Sequence, residues 1–377
     1  MAETQSKLTP QQRAQLFGAN TRQHRQMLGT QTMNDGETIS FTVPKTRLLQ
    51  SVALHVKASV MCKKTSAAQI SLHQKGFYTL PYRVIRNIFI DYNNGFRPIR
   101  GSAEELAKLN MTRINPRVLI PRNNNDYVAM GRSMCNVYKS TGEAVDNLDL
   151  SSTEKFYTFD FVLEMPLTLN DRDPVGLILA QSQESLININ IDSETNNALL
   201  TEYMKSKYTD LTMAISSIEV TPMLTTFSIP SSADCLPDLS VLKIVDARTE
   251  TINAGVNQIK LPVGMIYRKL MLDFTGENGE PLNDSDITSN IELIFNGADI
   301  PYSISPEHLR YLNVSQLGYE LPTGLYLFDY TYQGIPNLGG SRDYVDTERI
   351  TEFTLRFTTP NAGKVDIISE KISRLVG

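Results

Sequence analysis

One phrase occurs twice in this chain, and that repetition restricts the fold more than any bulk property. A β-rich run of Asn87, Ile88, Phe89 and Ile90 is followed by Asn94-Gly95, then by Ser102, Leu106, Leu109 and Asn110. Much further on, Asn290, Ile291, Leu293 and Ile294 are followed by Asn296-Gly297, then by Ser305, Leu309, Leu312 and Asn313. In both copies the leucines and the asparagine fall four, seven and eight residues after the serine, which is helical spacing counted from an N-cap. The distance between copies is far too long for a solenoid repeat. It predicts two similar β-rich domains in tandem.

At 377 residues the chain has room for about two domains, each with its own core. Val52, Leu54, Val56, Ala58 and Val60 alternate with Ser51, Ala53, His55, Lys57 and Ser59, the pattern of a strand with one buried face. Further strands are expected at residues 82–92, 156–163, 186–192 and 211–220. In the second half they are expected at 241–245, 266–274, 291–295, 325–330, 352–358 and 365–372. Two prolines and several small residues at 225–238 break the periodicity and mark a linker. Strands separated by long polar loops with helices tucked into them predict β-sandwiches rather than a βαβ array.

Thr9, Pro10 and Gln12 form a capping-box pattern at the start of an N-terminal helix. Its apolar stripe, Ala14, Leu16, Phe17 and Ala19, is short, so the helix needs a surface: its own domain, a neighbouring subunit or an anionic membrane. Residues 1–30 carry Lys7, Arg13, Arg22 and Arg25 against Glu3 in a chain of net charge −5. The remaining body is acidic and poorly suited to wrapping nucleic acid. No apolar stretch approaches the length of a membrane span and no apolar segment opens the chain, so a cytoplasmic setting is expected. Cys62, Cys135 and Cys235 are odd in number and widely spaced, which predicts free thiols rather than a disulfide framework or a CxxC metal site.

Enzymatic chemistry finds no constellation. His24, placed by this reading in the basic helix, His55, His73 and His308 show no metal-ligand spacing, and no GxSxG elbow is present. Asp171 with Asp173, and Asp284 with Asp286, are the densest carboxylate pairs, but both lie in polar turns and read as solvated. The loop 334–341, with Gly339-Gly340, lacks the spacing of a phosphate cradle. Neither a catalytic residue nor a metal or other cofactor is expected.

Four stretches carry a resemblance in their order and spacing. They are the polar helix start Leu8-Thr9-Pro10-Gln11-Gln12, residues 80–115 with Arg83-Val84-Ile85 and Asp91-Tyr92-Asn93-Asn94, and residues 159–180 with Met165-Pro166-Leu167 and Asn170-Asp171-Arg172-Asp173. The fourth is residues 255–279 with Ile266-Tyr267-Arg268-Lys269-Leu270, and Gly324-Leu325-Tyr326 follows near the end. In this order the chain resembles the major capsid protein of tectiviruses, tailless icosahedral phages with an internal membrane. The linker region and the loops after Gly276 and Gly334 depart from the pattern.

The resemblance implies a mainly β fold of two tandem eight-stranded jelly rolls, with short helices in loops and an N-terminal helix. The expected division is an arm at 1–36, a first roll at 37–228 and a second at 229–377. It further implies a virion structural protein whose homotrimers present six barrels in pseudo-hexagonal outline and tile an icosahedral shell. Expected partners are the chain itself, the internal membrane, and vertex and cement proteins. The membrane- or subunit-facing residues would be Arg13, Leu16, Phe17, Arg22 and Arg25. Two other readings are open at this point: a phage fibre or glycan-binding β-sandwich, which the absence of tryptophan disfavours, and a minor vertex or spike protein of related fold.

Overall fold

Val52, Leu54, Val56, Ala58 and Val60 all point into the protein, at 1% exposure or less, as their alternation demands. They belong to a computed structural model that describes residues 9–92, 95–121, 133–170, 174–179, 186–237, 239–331 and 344–374. Asn94, the Asp171/Asp173 pair and the loop 334–341 lie outside the described residues. The first half contains helix α1 (Pro10–Asn20) and strands β1 (Gln23–Met27), β2 (Gln31–Met33), β3 (Thr38–Thr42), β4 (Leu48–Lys63), β5 (Ala68–Ser71), β6 (Ile85–Tyr92) and β7 (Phe96–Gly101). Helices α2 (Ala103–Asn110) and α3 (Pro116–Leu119) follow, then β8 (Cys135–Lys139), β9 (Ala144–Val145), β10 (Asn147–Leu150), β11 (Lys155–Pro166), β12 (Ile178–Leu179), β13 (Ile187–Ser193), α4 (Glu202–Lys207) and β14 (Thr212–Phe227).

The second half is simpler. It consists of β15 (Val241–Ile252), β16 (Gly255–Leu261), β17 (Ile266–Gly276), β18 (Ile291–Phe295), β19 (Asp299–Ile304), α5 (Pro306–Leu317), β20 (Leu325–Asp329), β21 (Val345–Asp346), β22 (Phe353–Thr359) and β23 (Gly363–Arg374). Its sheets run β20-β17-β23-β15 and β16-β22-β18-β19. If the eight main strands are lettered B to I in chain order, these are the G-D-I-B and C-H-E-F sheets of a jelly roll. The first half repeats the plan. β1-β14-β4-β11 is B-I-D-G, with β2 also pairing β14, and β3-β13-β6-β7 is C-H-E-F. The chain is a double jelly roll.

The repeated phrase now has a structural meaning: it covers strand E, strand F and the helix after F in each roll, and in the second roll the E–F turn as well. Asn296 and Gly297 have φ of 51° and 74°, the left-handed pair that a tight hairpin turn requires. Ser102 caps α2 through Glu105 N–H at 3.1 Å, and Ser305 caps α5 through His308 N–H at 3.3 Å. Asn110 donates to the Glu164 carbonyl on β11 at 2.9 Å. Asn313 donates to Leu327 O on β20 at 2.6 Å and accepts from Leu327 N at 3.0 Å. In both rolls the buried asparagine therefore fastens the helix to strand G, where an apolar residue would leave backbone groups unpaired.

Two boundaries differ from the sequence reading. β1 and β2, assigned above to an arm, pair with β14 and complete the first roll. β14 runs through Phe227, so the connection between rolls begins at Ser228, because Thr225, Thr226 and Phe227 are held in the ladder by β1 and β4. The strands F, β7 and β19, were also not anticipated. β19 is exposed along most of its length and shows no apolar alternation to read.

The second roll has its own core, in which Phe274 and Phe357 meet edge to face at 4.9 Å and Tyr267 and Phe353 at 5.2 Å. The first roll's core extends across the junction to take in Leu242, Val245, Met271, Leu327 and Ile368 of the second. Burial of each such side chain contributes about 2 kcal/mol, so the junction is apolar packing as well as a covalent link.

Candidate assembly surfaces

Where the rolls meet, strand F of the first lies parallel to strand B of the second, with Ile99 opposite Val245. Around this contact the charged groups are buried and paired. Lys108 on α2 reaches Asp273 of β17 at 2.6 Å and Glu104 at 2.7 Å, and Arg83 holds the other Glu104 oxygen at 2.7 Å. Arg268 on β17 binds Glu370 at 3.0 Å and reaches across to Asn170 Oδ1 at 2.8 Å. Lys269 donates to Thr112 Oγ1 at 2.9 Å, and the Tyr319 hydroxyl donates to Met111 O at 2.7 Å.

Electrostatics at the junction follow from burial first and partners second. Burial alone would raise the Glu104 carboxyl, but Lys108 and Arg83 bring it down to about 2. Burial would likewise raise Glu370, which Lys243, Lys269 and Arg268 bring down to about 2. Asp273 goes the other way: burial pushes it up to about 6 in spite of Lys108. Removing one partner of such a buried pair costs roughly 3–5 kcal/mol. Sliding one roll on the other would incur several of these losses, so their relative angle is held.

The N-terminal helix has the predicted cap. Thr9 Oγ1 accepts from Gln12 N–H at 3.2 Å, and Gln12 Oε1 accepts from Thr9 N–H at 2.9 Å. Of the five residues expected to face a membrane or subunit, Phe17 does not. It is buried with Leu48 and Leu177 and meets Phe227 edge-on at 5.2 Å. Of the two large apolar groups on α1, Leu16 and Phe17, the helix buries Phe17, on the apolar surface made by Leu48, Leu177 and Phe227. Arg13 and Leu16 are exposed on α1. Arg22 and Arg25 are exposed too, but lie beyond the helix, with Arg25 on the edge strand β1. His24 also belongs to β1 rather than to the helix.

Other residues singled out by the sequence serve structure. Asp284 is not a solvated turn carboxylate: it accepts from Arg310 at 2.8 Å and from the Tyr326 hydroxyl at 2.6 Å, which ties α5 to the body. His55 bonds Asp160 at 2.8 Å on the outward face of the first roll's B-I-D-G sheet. Cys62 and Cys135 are buried free thiols and Cys235 is half-buried. Among the described residues, no helix is long and apolar enough to cross a membrane, and no cluster of His, Cys, Asp or Glu is arranged to hold a metal ion.

The junction pairs were not anticipated, although a signal exists. Arg268, Lys269 and Asp273 interrupt an otherwise apolar strand, and charge inside such a run marks a surface that is buried yet needs partners.

No protein-family model matches the chain, and no curated protein matches it. Solved structures do. The "STIV MCP", from Sulfolobus Turreted Icosahedral Virus, is similar at 14% identity and a TM-score of 0.62, over 94% of this chain and 97% of that one. The PBCV-1 virus capsid is similar at 11% identity and 0.57, over 95% and 96%. The Faustovirus major capsid protein is similar at 11% identity and 0.57, over 94% and 90%. The fold of this chain, across nearly its whole length, is therefore that of double jelly-roll viral capsid proteins.

Proposed function

We propose that this chain is the major shell protein of an icosahedral virus with an internal membrane, and that it works as a homotrimer. The observation that carries this reading is the pair of topologically matched rolls locked side by side through a buried, charge-paired junction. Three such blocks supply six near-equivalent barrels, so a threefold assembly can occupy a sixfold position in a flat facet. The whole-length likeness to capsid proteins of several viruses supports the same reading.

Finer statements rest on the sequence resemblance. They are the assignment to tectivirus-like phages, a division near residue 228 between the two rolls, and contacts with vertex and cement proteins. The exposed Arg13, Leu16, Arg22 and Arg25 are proposed to face the internal membrane or a neighbouring subunit, with Phe17 as the anchor that holds α1 in place. Function is mechanical in this reading and no nucleic acid is bound directly. Light scattering on the purified chain tests it: a mass near three times 42.3 kDa is expected, and a monomer or a pentamer would contradict it.

A further inference from the structure

The two helices that follow strand F are equivalent in sequence and topology but not in burial. At the inward positions they agree: Leu106 and Leu309 are 4% and 0% exposed, and Asn110 and Asn313 are 5% and 1%. At the outward positions, six, seven and nine residues after the capping serine, they diverge. Lys108, Leu109 and Met111 are 4%, 8% and 0% exposed, whereas Tyr311, Leu312 and Val314 are 63%, 41% and 37% exposed. The second roll covers Lys108 and Leu109 of the first set. Lys108 pairs with Asp273 on β17, and Leu109 lies beside Lys243 and Val245 of β15 and Glu370 of β23. The B-I-D face of one roll thus seats the F helix of the roll before it.

The strands next to these helices diverge in the same way. β7 has β15 at its side, whereas β19 is the outermost strand of its sheet, with Ile300 exposed. Both F strands carry a proline four residues before the capping serine, Pro98 and Pro301, which removes a backbone donor and keeps pairing along that edge short. At the opposite end of the chain's architecture, β1 is also the outermost strand of its sheet, with Met27 exposed.

We infer that Tyr311, Leu312 and Val314 of α5, with the edge of β19, form the contact by which one copy of this chain holds the next. The occupant is a second copy, seated through the outward face of its first roll: β1, β14 and β4, where Met27 is exposed and His55, Thr221 and Met223 are half-buried. That face is the counterpart, in the first roll, of the B-I-D face that covers α2. The contact is head-to-tail, because a helix on one copy meets a sheet on another, and such contacts close into a ring when the rotation allows. The junction inside the chain serves as its template. An apolar face on α5 in place of a lysine suits a contact that forms between separate molecules, since the helix brings no charge of its own to be matched on docking.

This inference rests on the trimeric reading above, and the test separates the two. Tyr311→Asp/Leu312→Asp on α5, and separately Met223→Asp on β14, are compared with the unaltered chain by light scattering across a range of concentrations. Far-UV circular dichroism checks the fold of each. The unaltered chain is expected to be trimeric, and both variants folded but monomeric at concentrations at least 100-fold above its dissociation point. An unaltered chain that is monomeric throughout overturns the trimeric reading and this inference together. Trimeric variants overturn the inference alone, whatever else then occupies α5. Loss of assembly with the α5 variant but not with Met223→Asp overturns the assignment of the partner face. If the variants fail to fold, hydrogen exchange on the unaltered chain above and below its dissociation point decides: slower exchange in β19 and β1 on assembly supports the contact, and unchanged exchange in both overturns it.

Discussion

Asp273 stands at the centre of the junction, and its protonation should govern how stability varies with acidity. Its carboxyl in the folded chain is pushed up to about 6, above the ordinary value of 3.8, so the folded form takes up this proton first. The group therefore costs stability above pH 6 and returns it as pH falls from 6 toward 4. Glu104 and Glu370 have the opposite sense. Held at about 2 against an ordinary 4.5, they stabilise the fold above pH 4.5 and lose that contribution as pH falls toward 2. Calorimetric melting should show a midpoint that rises between pH 7 and 5 and falls steeply below 4.5. Asp273→Asn should abolish the rise and keep the fall; a variant whose profile overlays the unaltered chain from pH 7 to 4 would refute the account. In the sequence, Asp273 is one charged residue in a strand, and its partner Lys108 lies on a helix 165 positions away. Nothing local links them, so this pair became visible only in three dimensions.

Elements were legible where burial is one-sided or where a cap marks their start. β4 and β22 show in the sequence because one face is buried, and α1, α2 and α5 show because Thr9, Ser102 and Ser305 occupy their N-caps. β1 and β19 do not, since exposed edge strands carry no alternation. The N-terminal reading was half legible for the same reason. Its cap was clear, but which surface receives Phe17 depends on Leu48, Leu177 and Phe227, far apart in the chain. With Phe17 turned inward, any membrane contact falls to the exposed Leu16 and the exposed cations. Each cation contributes about 1 kcal/mol near an anionic surface, so Arg13→Gln, Arg22→Gln and Arg25→Gln together should weaken partition onto anionic phospholipid vesicles by about 100-fold. Sedimentation with such vesicles measures it, and a triple variant that partitions like the unaltered chain would remove the membrane from the list of partners.

At the scale of the whole molecule, one sheet runs through both rolls, β20-β17-β23-β15-β7-β6-β13-β3, yet each roll keeps its own facing sheet. The duplication therefore produces a single block with two similar sides rather than two beads on a linker. Such a block limits free sheet edges, which suits a protein packed at high local density. The duplication was readable from the repeated phrase, while the fixed angle between the copies was not, because it depends on Lys108, Arg268, Lys269 and Tyr319 meeting partners across the junction. The central claim is that this block makes a hexagon out of three chains. Electron microscopy of the purified assembly addresses it most directly. Averaged face-on views should contain six lobes with threefold symmetry; two-lobed particles, or rings with five subunits, would contradict it.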